Sequence, residues 1–173
     1  MQGDLKLTPT SYVVLGLLAE CGGEATPYDL KRLLAASVAN FWSLPHAQLY
    51  REPDRLASAG YVTERREQEG RRRRFYALTA RGREALDAWL GQAPTQLPEL
   101  RDAGVLKLFF GADPAMVAAN QLPAHEAKLA EYEALHAQLD GHAPAGQLRA
   151  LEIGIAHERA MIEIWRATSA RRA

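Results

Sequence analysis

The sequence predicts a mainly α fold with a small β-hairpin, an N-terminal winged helix-turn-helix followed by a C-terminal helical region. Three observations carry that expectation. Apolar residues recur at helical spacing in three segments before residue 60. The pattern then shortens to that of two strands over 61–78, around a turn at Glu69-Gly70-Arg71. Four consecutive arginines, Arg71, Arg72, Arg73 and Arg74, stand at the tip of that hairpin, where a polyanion can reach them.

The elements come in order. Thr8-Pro9 opens the first helix, since threonine caps exposed N–H groups and proline lacks only an N–H the first turn does not use. Val14, Leu15, Leu17 and Leu18 give it an apolar side, and Gly22-Gly23 stops it. Thr26-Pro27 opens a second helix carrying Leu30, Leu33, Leu34 and Val38. Asn40-Phe41-Trp42-Ser43 reads as a turn with aromatic anchors, with Ser43 suited to cap the third helix. That helix runs from near Pro45 to Ala59, and Pro53 is expected to kink or split it. In the hairpin, Val62, Tyr76 and Leu78 are expected to face the helices. Thr79 caps a fourth helix with Leu86, Trp89 and Leu90 as its apolar stripe. Pro94 and Pro98 mark a linker, dividing the chain into 1–93, a DNA-binding domain, and 94–173, a helical dimerisation domain.

The second region is expected to hold a short apolar helix (Val105, Leu106, Leu108, Phe109, Phe110) and a helix starting at Asp113-Pro114 that Pro123 must kink or break. Its continuation to residue 139 turns Leu129, Tyr132, Leu135 and Leu139 one way. A last helix spans about Gln147 to Ala170. In it Leu148, Leu151, Ile155, Ile162 and Trp165 form a heptad-like seam, with Glu158 in the gap. Two long seamed helices have too little of their own chain to cover them, so a second copy is the expected partner.

Net charge is zero, but it is unevenly placed: 65–83 holds eight arginines against two glutamates, a net of +6. The single cysteine, Cys21, excludes an internal disulfide. No run of about 18 apolar residues predicts a membrane span. The first residues lack a basic-then-apolar leader pattern, and the expected location is cytoplasmic. The histidines 46, 125, 136, 142 and 157 show no metal-ligand spacing, and no glycine-rich phosphate loop or nucleophile motif appears. No cofactor, no metal and no enzymatic activity are expected.

A groove-reading helix contacts base edges with its first turns. In the third helix, Leu49 and Leu56 share the core face, which leaves His46, Gln48 and Arg51 outward. Glutamine pairs with adenine in a bidentate way, and arginine with guanine or phosphate. Tyr50 lies either at this surface or against the second helix. The Arg71–Arg74 run suits phosphate, which supplies affinity rather than sequence choice. With Glu64, Glu67 and Glu69 opposite and two strand faces to share, about half of its charges are expected to reach DNA.

These residues resemble the PadR family of transcriptional regulators. The resemblance lies in Val14-Leu15-Gly16-Leu17-Leu18, Thr26-Pro27-Tyr28-Asp29-Leu30, Phe41-Trp42-Ser43-Leu44, His46-Ala47-Gln48-Leu49-Tyr50 and Arg73 to Gly82. It continues in Leu106 to Gly111 and Gly154 to Trp165, as in members with the longer helical domain. The resemblance implies a homodimer on a palindromic double-stranded operator, joined through its C-terminal helices. It further implies a repressor released by a small aromatic or hydrophobic effector. It nominates Tyr28, Ser43, His46, Gln48, Tyr50 and the wing arginines for DNA. The sequence departs from the family's Leu-Tyr-Pro, placing Arg51 and Glu52 before Pro53, and carries Pro27 where glycine is usual. Two other classes remain open: a winged-helix protein-interaction module, and a small-molecule-binding protein built on Trp89, Trp165, Tyr132 and Phe109.

Overall fold

Threonine caps set where the N-terminal helices begin. The computed structural model describes residues 5–69, 72–94, 97 and 99–170, and of Asn40 and His46 it describes no side chain. Helix α1 (Pro9–Cys21) starts with Thr8 and Ser11 capping each other's backbone N–H, and ends on Gly22 in the left-handed region (φ 64). Helix α2 (Pro27–Ala36) has the same reciprocal cap from Thr26 and Asp29, with Pro27 at its start. A 3-10 turn (Val38–Asn40) leads towards α3 (His46–Ser58). Strands β2 (Val62–Arg66) and β3 (Arg74–Leu78) pair antiparallel, and Thr79 caps α4 (Ala80–Leu90).

One strand escaped the sequence reading. Glu24–Ala25 forms β1, pairing antiparallel with Ala77 and Tyr76, so the sheet has three strands in the order β1-β3-β2. Two residues are too short to leave a periodic signal. The hairpin strands are shorter than expected, and β3 opens at Arg74 rather than at the start of the arginine run. Gly70 and Arg71 lie outside the described residues.

The chain forms two compact units, Met1–Gln96 and Leu97–Ala173. The first is built on Val14, Leu15, Leu18, Leu30, Leu34, Leu49, Leu56, Val62, Tyr76 and Leu86, all buried. Val62 and Tyr76 face the helices as expected, with Leu78 packed at the margin. Pro53 does not split α3, which runs unbroken through it. Its ring is fully buried, between core residues Leu49 and Leu56 in sequence, so packing offsets the lost hydrogen bond. Phe41 and Trp42 are not core anchors: both are exposed, Phe41 by 67%. Of the α4 stripe only Leu86 is buried. Leu90 is exposed, and Trp89 lies at the surface, stacked on Tyr12 with ring centroids 4.5 Å apart.

The second unit contains α5 (Ala103–Phe109), α6 (Pro114–Leu139) and α7 (Ala145–Ala170). Asp102 caps α5, accepting from the N–H groups of Gly104 and Val105. Helix α6 is continuous through Pro123, contrary to the expected break. It packs antiparallel on α7, as the cross-helix pairs His125–Glu158 (2.5 Å), Glu133–Arg159 (2.7 Å) and Glu126–Arg166 (2.7 Å) require. Val117, Ala118, Met161 and Trp165 make the core. A Cβ on Gly104 would stand 2.9 Å from the Trp165 ring, so only glycine lets α5 lie there.

That packing changes the reading of the α7 seam. Ile162 and Trp165 are buried within their own protomer, Trp165 to 1% exposure, while Leu148, Leu151 and Ile155 are half-buried. The exposed apolar side chains of this unit include Val105, Leu106, Phe109, Phe110, Ile153 and Ile164. No helix among the described residues is long and apolar enough to cross a membrane.

Candidate nucleic-acid interface

Helix α3 is held from behind and open in front. Leu49 and Leu56 are fully buried, as seven-residue spacing on one face requires. Gln48, Tyr50 and Arg51 lie off that face and are exposed, Tyr50 by 45%. Tyr50 therefore lies at the surface. Tyr28, in the first turn of α2, is 62% exposed. Ser43 is exposed as well, but it does not cap α3: the N-cap position is Pro45, with no side-chain hydrogen bond there. The His46 side chain lies outside the described residues.

A polar seam between α1 and α3 was not visible in the sequence pattern. The first turn of α1 addresses three α3 residues spaced four and three apart, hence on one side. Thr10 Oγ1 donates to Gln48 Oε1 at 3.2 Å, and Ser11 Oγ donates to Glu52 Oε1 at 2.6 Å. Arg55 donates to Ser11 Oγ (2.8 Å), to both Glu52 oxygens and to the Lys6 carbonyl (3.1 Å). Burial alone would raise the Glu52 carboxyl, but the hydrogen bonds from Arg55 and Ser11 outweigh it and hold the group below the usual glutamate range. The seam fixes the roll of α3 about its own axis. The only trace of it in the sequence is a serine inside an otherwise apolar helix face.

The wing arginines divide by what holds them. Arg74 turns towards α3. It forms ion pairs with Asp54 and, at 2.8 Å, with Glu64. Tyr76 also donates its hydroxyl to Asp54, at 2.5 Å. The Glu64 hydrogen bond leads in raising the Arg74 guanidinium's pKa, and burial leads in raising that of the Tyr76 phenol. Arg73 pairs with Glu67 at 3.0 Å, and its guanidinium lies over the Phe75 ring. Arg65 stacks on the same ring, 4.5 Å from its centroid, while paired to Glu24 of β1. Arg72 is exposed, takes a left-handed backbone (φ 49) and makes no ion pair among the described residues. Arg71 lies outside the described residues. Strand alternation does not distribute the described part of the run, because of Arg72, Arg73 and Arg74 only the last is in a strand. The loop and the carboxylates distribute it.

Together these features give one surface with hydrogen-bonding and aromatic side chains on two helices and a basic loop beside them. Its donors suit phosphate oxygens and base edges. Among the described residues no group of three or more histidine, cysteine, aspartate or glutamate side chains could hold a metal ion.

Residues 14–88 match the model of the transcriptional regulator PadR-like family. The negative transcriptional regulator PadR of Bacillus subtilis (strain 168) is 28% identical, over 74% of this chain and 73% of that protein. The crystal structure of Bacillus subtilis PadR in complex with operator DNA superposes with a TM-score of 0.80 at 25% identity, covering 92% of this chain and 96% of that one. The structure of the same regulator in complex with p-coumaric acid superposes with a TM-score of 0.75 at 24% identity, covering 95% and 97%.

Proposed function

We propose, from the match of residues 14–88 to the PadR-like family of transcriptional regulators, that the protein is a homodimeric, sequence-specific DNA-binding repressor released by a small aromatic or hydrophobic effector. It is not an enzyme in this reading, and it works in the cytoplasm. The observation that carries the proposal is the front of α3. Gln48, Tyr50 and Arg51 stand exposed there while Leu49 and Leu56 tie the helix to the core, with Tyr28 and Ser43 exposed on the preceding elements. His46 completes the nominated set. The first turns of α3 enter the major groove, and the wing rests on the backbone through Arg72, with Arg71 beside it and Arg73 when Glu67 releases it. Residues 1–93 bind DNA and 94–173 make the dimer, so that two copies address the two halves of a palindromic operator.

Support comes from the Bacillus subtilis relative, a negative regulator by name, crystallised with operator DNA. The aromatic class of effector is taken from that relative's complex with p-coumaric acid. The dimer surface is proposed on the exposed apolar side chains of the second unit, Phe109 and Phe110 foremost, with the half-buried Leu148, Leu151 and Ile155 of the seam beside them. Ile162 and Trp165 support it from within.

The test is a fluorescence titration of labelled duplex from upstream of the protein's own gene across a range of salt. Six phosphate contacts give a slope of log K against log salt near about −5. p-Coumarate added to the complex should release the duplex. A flat salt response would overturn the proposal and favour a winged-helix module that binds protein, a reading for which the ion-paired Arg65, Arg73 and Arg74 speak.

A further inference from the structure

We infer that Thr10 is a specificity-determining residue that orients the Gln48 amide with its NH2 group outward and so favours guanine over adenine. The inference rests on the reading of α3 as the groove helix and deepens it. A glutamine amide has two chemically distinct ends, a carbonyl oxygen that accepts and an NH2 group with two donors. A free glutamine can use either end, which is how it pairs with adenine: its oxygen accepts from N6 and its nitrogen donates to N7. Gln48 is not free in that sense. Thr10 Oγ1 donates to Gln48 Oε1 at 3.2 Å, across 38 residues of chain.

The bond engages one of the oxygen's two lone pairs on the α1 side and leaves the Nε2 group without a partner among the described residues. The geometry is supported from both sides. Thr10 sits at the second position of α1, and the adjoining Ser11 is locked to Glu52 and Arg55, one turn and two turns along α3 from Gln48. The α1 backbone that carries the Thr10 hydroxyl is thereby held beside α3. Two free donors suit the guanine edge, where N7 and O6 both accept, whereas pairing with adenine needs the oxygen that Thr10 already engages on the α1 side.

The experiment compares the full-length chain with Thr10→Val, Thr10→Ser and Gln48→Ala. Each selects from a pool of randomised duplexes, and each is then titrated against the preferred duplex and its single-base variants. Wild type and Thr10→Ser should prefer guanine over adenine by about tenfold at one position in each half-site. Thr10→Val, with the same size but no hydroxyl, should reduce that ratio to about twofold or reverse it. Its thermal midpoint, salt slope and preferences elsewhere should stay as in wild type, which a merely structural role for Thr10 would not allow.

Full guanine preference in Thr10→Val, alongside its loss in Gln48→Ala, would overturn the coupling and leave α3 as the groove helix. Adenine preference at that position in wild type would overturn the proposed amide orientation. Unchanged base preferences in Gln48→Ala would remove Gln48 as a reader, and this inference with it.

Discussion

Tyr76, fully buried in β3, donates its hydroxyl to Asp54 of α3 at 2.5 Å, and that bond joins the hairpin to α3. Arg74 reinforces it by holding Asp54 and Glu64 together. The wing is thereby oriented from below by one carboxylate. Tyr76→Phe keeps the ring and removes the bond, so urea denaturation should show a loss of about 1 kcal/mol. A variant as stable as wild type would mean that Arg74 alone suffices to hold Asp54.

Arg74 and Arg72 should separate cleanly on DNA. Arg72 is exposed and unpaired among the described residues, whereas Arg74 is occupied by two carboxylates. Arg72→Ala should flatten the slope of log K against log salt by about one and weaken all duplexes alike. Arg74→Ala should leave the slope nearly unchanged and lower stability by about 1 kcal/mol, a small effect because the pair is partly solvated. Equal slope changes in the two variants would contradict this division.

On the proposed reading, Glu67 competes with DNA for Arg73. The two are paired at 3.0 Å, and the hydrogen bond from Arg73 lowers the carboxyl's pKa. Glu67→Gln removes a negative charge facing the proposed phosphate track and loosens the arginine. Duplex affinity at low salt should rise severalfold, and the salt slope should steepen by about one. Unchanged affinity and slope would mean that Arg73 never reaches phosphate.

The sequence made the order of elements legible because each begins with a chemical mark: Thr8-Pro9, Thr26-Pro27, Thr79. It made the front and back of α3 legible because seven-residue spacing separates Leu49 and Leu56 from Gln48 and Arg51. What it hid was tertiary. Proline in a helix reads as a break from local chemistry alone, yet Pro53 and Pro123 both sit within continuous helices. The glutamates opposite the arginine run made it legible that about half of its charges would be paired, and Glu67 and Glu64, 6 and 10 residues away, do hold Arg73 and Arg74; what the sequence hid was Asp54, a third partner 20 residues away in α3. The Thr10–Gln48 and Ser11–Glu52 bonds span 38 and 41 residues and involve types that elsewhere only cap helices or face solvent.

Acid should loosen the α1–α3 seam through Glu52. Its pKa in the fold lies below the ordinary value of 4.5. A lowered acid pKa contributes stability that is fully present above the unfolded value and is lost as pH falls through the folded one. The loss therefore falls below about pH 4.5, where the unfolded chain takes up the proton first. Glu52→Gln should be less stable than wild type at pH 7 and approach it as pH falls towards 3, as read by urea midpoints. Parallel pH profiles for the two would show that Glu52 carries no such linkage.

The dimer surface can be assigned by asking which apolar side chains the second unit spends on itself. Trp165 is 1% exposed against Val117, Ala118 and Met161, so Trp165→Ala should cost about 3–5 kcal/mol and unfold the unit whatever its assembly state. Phe109 and Phe110 are different: they pack edge to face on each other and are 81% and 76% exposed. Removing them costs the protomer little internal packing, while covering them in a second copy withdraws two aromatic rings from water. The double variant Phe109→Ser, Phe110→Ser should keep its helical signal by circular dichroism yet sediment as a monomer. Its affinity for a two-half-site duplex should fall by at least about a hundredfold, because each half-site must then be engaged separately. If that variant still sediments as a dimer, while Leu148→Ser with Leu151→Ser yields a monomer, the interface lies on the first turns of α7 instead.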